Sequence, residues 1–262
     1  MAATAQFSSH LAGLSAENAR IQRRLILVLW LLGLPGVMAS VWFGLPSWLR
    51  TLQLQWAPDI LFFWAFVPLS LALLIPVWIG VRMGPYVGLS TPVLIAWACG
   101  RSPRRAVRYL ALPGVAGGIV GAAWLVTLAM VWPERLSLVD PTYDMPLLAK
   151  VLYGGFTEEL IMRFGGLTLV TWALWRTVGA NRRRVGWGLG FLAIVLTAML
   201  WVGLNMALKL WVGESMPQTA LPQLLISELC YGVLAGVLFR CYGLEAAMLA
   251  HVIAYVLSHG LV

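Results

Sequence analysis

Charge is what this sequence has least of: Asp, Glu, Lys and Arg make up 11% of its 262 residues, against about 25% in a soluble domain. That shortage excludes a water-soluble globular enzyme, a disordered chain and a coiled coil. Cysteine is scarce too. Cys99, Cys230 and Cys241 are an odd number without CxxC spacing, which excludes a disulfide framework and a thiolate metal site. No polar linker is long enough to divide domains; the longest polar connections, about 44–58 and 133–146, are short, and no internal repeat is visible. What fills the chain is apolar: 61% of residues are hydrophobic, and fourteen are Trp, which collects at membrane interfaces. The mean hydropathy is +0.85. The composition is that of a polytopic helical membrane protein.

A net charge of +8 would suggest nucleic acid in a soluble protein. Here the basic residues stand in short clusters between apolar runs, the pattern of membrane topology, and no nucleic-acid partner is expected. Seven stretches reach the roughly 20 residues needed to cross the hydrocarbon core: about 25–43, 60–81, 109–132, 147–175, 185–211, 221–239 and 244–262. An eighth, about 86–99, is short and carries Gly84, Pro85, Gly88 and Pro92. It is expected to be re-entrant or interfacial. Residues 1–24 are polar, end in Arg20, Arg23 and Arg24, and are expected to form an uncleaved cytoplasmic tail. A single transmembrane domain, 25–262, follows.

Placing that tail in the cytoplasm puts thirteen arginines inside: Arg20, Arg23, Arg24, Arg82, Arg101, Arg104, Arg105, Arg108, Arg176, Arg182, Arg183, Arg184 and Arg240. Four basic residues fall outside: Arg50, Arg135, Lys150 and Lys209. This is the positive-inside bias of a multi-pass cell-membrane protein. The Arg-rich inner face would meet anionic lipid. In the third span, Gly114, Gly117, Gly118 and Gly121 form overlapping small-xxx-small pairs, which implies close helix packing.

Ionisable groups inside spans cost about 2.5–3.5 kcal/mol each on insertion scales and call for a function or a partner. The fourth span reads Gly154-Gly155-Phe156-Thr157-Glu158-Glu159-Leu160-Ile161-Met162-Arg163. Glu159 and Arg163, four apart with the acid first, are placed for an intrahelical ion pair. Glu158 points about 100° away and can face a cavity. A desolvated carboxylate of that kind suits a general base. The plainer alternative is a polar knot locking helices together. In the last span His251, Tyr255 and His259 recur every four residues along one face, with His259 near the interface. Glu228, in the sixth span, lies at a depth similar to His251 and is a possible partner for it.

The string Glu158-Glu159-x-x-x-Arg163, then Gly232-x-Leu234-x-Gly236-x-x-Phe239-Arg240 and Leu244-Glu245-Ala246-Ala247-x-x-x-His251, resembles the CPBP family. That family comprises the CAAX prenyl endopeptidases and the bacterial Abi or bacteriocin-processing proteins, with motifs EExxxR, FxxxH and HxxxN or HxxxD on three membrane helices. The resemblance covers about 145–262. It implies an all-helical intramembrane endopeptidase in which Glu158 activates water, Glu159 and Arg163 are a structural pair, and His251 lies on the oxyanion side. It also implies a membrane-associated peptide or lipidated protein as substrate.

Two positions depart from the family pattern. The second motif aligns on Trp201-Val202-Gly203-Leu204-Asn205, with Asn for His, and the last is His251-x-x-x-Tyr255, with Tyr for Asn or Asp. An amide accepts no proton, so Asn205 is limited to orienting water or donating to an oxyanion. Tyr255 keeps a hydroxyl donor. A catalytically inactive scaffold of the same fold, or an immunity-type protein, is therefore the alternative reading. A proton-coupled transporter using Glu158, Glu228 and His251 is a third. No cofactor is expected. Zinc would need three protein ligands, and no HExxH is present.

Overall fold

A computed structural model of the chain describes residues 19–45, 58–132, 145–178, 184–212 and 220–259. The tail residues 1–18, the polar connections 46–57 and 133–144, and residues 260–262 lie outside the described residues. So do Arg50, Arg135, Arg182, Arg183 and the Lys209 side chain. Among the described residues every element is helical. Helix α1 is Ala19–Gly44 and α2 is Pro58–Val87. A seven-residue α3 covers Pro92–Ala98, and α4 covers Arg104–Val131. Helix α5 runs from Leu147–Leu152 to Thr168–Thr177, α6 is Trp187–Val212, α7 Ala220–Tyr242 and α8 Leu244–Ser258.

Each of the seven expected spans falls on one of these helices other than α3; of the residues marking the eighth stretch, Gly84 and Pro85 belong to the end of α2, Gly88 to the turn after it, and Pro92 opens the short α3. Among the described residues, five helices contain segments long and apolar enough to cross a membrane: α1, α2, α4, α6 and α7. Helix α8 is shorter. Large apolar side chains face outward along them, among them Trp64 at 74% and Leu112 at 77% exposed. A water-soluble surface would not carry so many, whereas lipid accepts them.

The core of the bundle is sealed by glycines. Gly114, Gly117, Gly118 and Gly121 of α4 press against α8 and α7, as the small-residue spacing requires. A methyl on Gly118 would stand 2.5 Å from Ile253 Cβ, and one on Gly121 would stand 2.7 Å from Tyr231 Cε2. Helices α7 and α8 are joined through Gly243 alone, whose φ of 98° lies where only glycine is unstrained. Glu245 then turns back to α3, its Oε1 accepting the backbone N–H of Val93 at 3.1 Å and of Leu94 at 3.0 Å. It satisfies two of the donors left open at that helix start. Glu245→Ala is expected to lower stability by about 0.5–2 kcal/mol, the range of a lost N-terminal cap. Thermal unfolding in detergent would measure it.

Helix α5 departs from regular α geometry. Two segments, Tyr153–Glu158 and Leu160–Leu167, form the wider π-helical turns with i→i+5 hydrogen bonds, a form frequent at functional sites. Gly154, Gly155, Gly165 and Gly166 lie in these segments, and their low helix propensity weakens the regular ladder there. Neighbours grip the widened turns. The Thr157 hydroxyl donates to the Gly33 carbonyl of α1 at 2.6 Å. Gly165 receives Pro76 of α2, and Phe164 fills the space beside Gly80. Lys150 is 3% exposed within the first turns of α5.

Candidate active site

The two widened segments of α5 meet at Glu158 and Glu159, so the acid pair sits on a part of the helix held from both sides. Glu159 is fully buried and Arg163 nearly so, at 0% and 3% exposed. Their ion pair closes at 3.2 Å between Arg163 Nη1 and Glu159 Oε1, the arrangement expected from their spacing. Glu158 keeps 14% of its side chain exposed, and its Oε1 is 3.9 Å from the same guanidinium nitrogen. The two acids are thus unequal, one locked and dry, the other looser and nearer solvent. Glu228 of α7 adds to the negative charge around Arg163.

The last helix reaches the same place. His251 Nδ1–H donates to Glu159 Oε1 at 2.8 Å, across 92 positions of sequence. Glu159, then, rather than Glu228, is the acid that meets the imidazole. Both bonds fall on one oxygen of Glu159, while its Oε2 is buried without a hydrogen-bond partner. With Nδ1 engaged by a carboxylate, the tautomer of a neutral ring is fixed and Nε2 is the atom left for other chemistry. Gly154 and Gly155 let α8 come this close, since a methyl on Gly155 would stand 2.7 Å from Val252 Cγ2 and one on Gly154 would collide with Tyr255.

Tyrosines flank the imidazole. Tyr255 and Tyr231 each place a ring centroid 4.7 Å from that of His251. Tyr255 is the residue marked by its four-residue spacing. Tyr231 was not legible as part of the site, because it stands just before the family-like string and on a different helix. The only sequence signal was a large aromatic with a hydroxyl three positions from the intramembrane Glu228. His259 is exposed, past the end of α8.

Asn205 is half-buried on α6 and is not among the partners of Glu159 or His251. Helices α6 and α7 pack with Ile194 against Gly236 and Ala198 against Gly232. Continued along that antiparallel register, Asn205 comes level with about residue 225, roughly 9 Å along the axis from Tyr231 at 1.5 Å per residue. Glu158, Glu159 and His251 offer the donor types of a metal site. Yet the guanidinium lies beside both acids, and among the described residues no three His, Cys, Asp or Glu side chains are grouped to hold an ion.

Residues 143–257 match the model of a protein family described as type II CAAX prenyl endopeptidase Rce1-like. The match bears out the resemblance to the CPBP family and covers nearly the stretch on which that resemblance was read. The C-terminal part of the chain is thus similar to a membrane protease family, and the long apolar helices are those of a multi-pass membrane protein. No curated protein and no solved structure matches the chain.

Proposed function

We propose that this protein is an intramembrane endopeptidase that hydrolyses a peptide bond of a membrane-anchored or lipidated substrate, with Glu158 as the base. The observation that carries the reading is the buried bond between Glu159 and His251, which unites the two motif-bearing helices at one polar centre. Building such a centre in an apolar bundle is costly, and Arg163 and His251 together offset the charge of Glu159. The neighbouring Glu158, with its residual exposure, is the acid able to meet water.

In this mechanism the Glu158 carboxylate takes a proton from water while the water oxygen attacks the scissile carbonyl carbon. The C–O bond forms and the carbonyl π pair moves onto oxygen. The Tyr255 hydroxyl and His251, the latter donating through Nε2–H as the imidazolium, stand on the side of the developing oxyanion, where a fixed donor acts most strongly in a dry site. Collapse of the intermediate breaks the C–N bond, and the proton held by Glu158 passes to the leaving amine. Glu159 and Arg163 position Glu158 and His251 and do not touch substrate. Asn205 of α6 would take part by orienting the water or donating to the oxyanion, since an amide accepts no proton. The reaction as written needs no cofactor. The protein would sit in the cell membrane with its N-terminus in the cytoplasm and its Arg-rich face against anionic lipid.

His251→Gln is expected to lower kcat by about 10²–10³-fold, the cost of one oxyanion donor, with KM little changed. Purified protein in liposomes, acting on prenylated peptides ending in a CAAX sequence, would measure the split; an unchanged kcat would remove His251 from the reaction. The departures at Asn205 and Tyr255 favour a second reading, an inert scaffold of the same fold. That reading expects no hydrolysis by the wild-type protein and no cellular effect of altering Glu158.

A further inference from the structure

Helix α7 wears its polarity inside out. Leu225, Ile226 and Cys230 face outward, while Gln223, Ser227 and Tyr231, one turn apart, are turned into the bundle at 0%, 1% and 9% exposed. This polar face begins in the first turn of α7 and runs about 12 Å, at 1.5 Å per residue, to the tyrosine whose ring lies on His251.

The hydrogen-bonding groups of Gln223 and Tyr231 on this face are left open. Among the described residues neither the Gln223 amide oxygen nor its nitrogen has a partner, nor does the Tyr231 hydroxyl. The same holds for the Trp124 indole N–H of α4 and for Glu159 Oε2 at the end of the row. Trp124 belongs to this row because Gly121 packs on Tyr231 and Gly117 on Leu238, an antiparallel register that brings Trp124 level with Ser227. Each buried group left unbonded costs about 1–3 kcal/mol. An apolar side chain at any of these places would avoid that cost, so a row of them needs a polar occupant. Buried water, which typically makes about three hydrogen bonds to such groups, has the size and chemistry.

We propose that Gln223, Ser227, Tyr231 and Trp124 form a hydrated track along α7 that delivers water to the Glu158–Glu159–His251 centre. The proposal deepens the hydrolytic reading and rests on it for its purpose, since each turnover consumes one water that the lipid-facing surface cannot supply. Polar residues within spans face such water-lined interiors rather than lipid.

A nitrile probe tests it without reference to activity. The variant Tyr231→p-cyanophenylalanine, purified in lipid nanodiscs, is expected to show the infrared band of a hydrogen-bonded nitrile. Adding Gln223→Leu is expected to move that band toward the frequency of the same probe at lipid-facing Phe191. Trp124→p-cyanophenylalanine provides a second position should the first variant fail to fold. A nitrile at both positions absorbing at the Phe191 frequency, unmoved by Gln223→Leu, would overturn the proposal. Because the band does not depend on turnover, an inactive wild-type protein would sink the protease reading while leaving the track in place; a dry nitrile in an active enzyme would do the reverse.

Discussion

Glu158→Gln is expected to abolish hydrolysis, lowering kcat by about 10²–10⁴-fold, the usual worth of general acid–base catalysis. The amide preserves the shape of the side chain and removes its ability to take a proton. Its ion pair with Arg163 is long, at 3.9 Å, and its side chain keeps some exposure, and the amide keeps the oxygen that accepts hydrogen bonds. The variant should therefore elute as a folded protein, bind substrate with nearly the wild-type KM, and fail in the chemical step. Assays on prenylated CAAX-type peptides in liposomes would show this. Full activity in Glu158→Gln would pass the base to another group, with His251 Nε2 the next candidate. If the wild-type protein is itself inert and cells carrying Glu158→Gln behave normally, the scaffold reading stands instead.

The second large effect falls on folding. Arg163→Met is expected to destabilise the bundle by about 3–5 kcal/mol, because it removes the guanidinium paired with the fully buried Glu159. Removing one partner of a buried pair costs more than removing both. The double variant Glu159→Gln with Arg163→Met should accordingly recover part of the loss, since the amide can still accept the His251 Nδ1–H. Thermal or denaturant unfolding in detergent of the two single variants and the double variant completes the cycle. Purely additive effects would mean that the two residues do not act as a pair.

These two outcomes separate roles that adjacent residues of the same type cannot reveal by name. Spacing alone assigned Glu159 to Arg163, since that pair is local and four residues apart. It offered His251 Glu228 as an acid at similar depth, and the fold brings it to Glu159 instead. The imidazole goes to Glu159 because α8 settles onto Gly154 and Gly155, bringing Val252 and Tyr255 against the widened turns of α5.

Length and composition by themselves determined a good deal. An apolar chain with so few charges has to be a bundle of membrane helices, and each of the seven long runs falls on a described helix. Hydrophobic periodicity and charge scarcity are local properties, so they can be read without the partner helices. The glycine row of α4 belongs with them, its spacing announcing a close contact though not its partners. Only the tertiary structure decided the rest: the burial of Lys150, the π-helical turns around the acids, the bond from His251 to Glu159, and the entry of Tyr231. Each depends on the register between helices far apart in sequence, and that register is set by how glycines and bulky side chains interlock across the bundle.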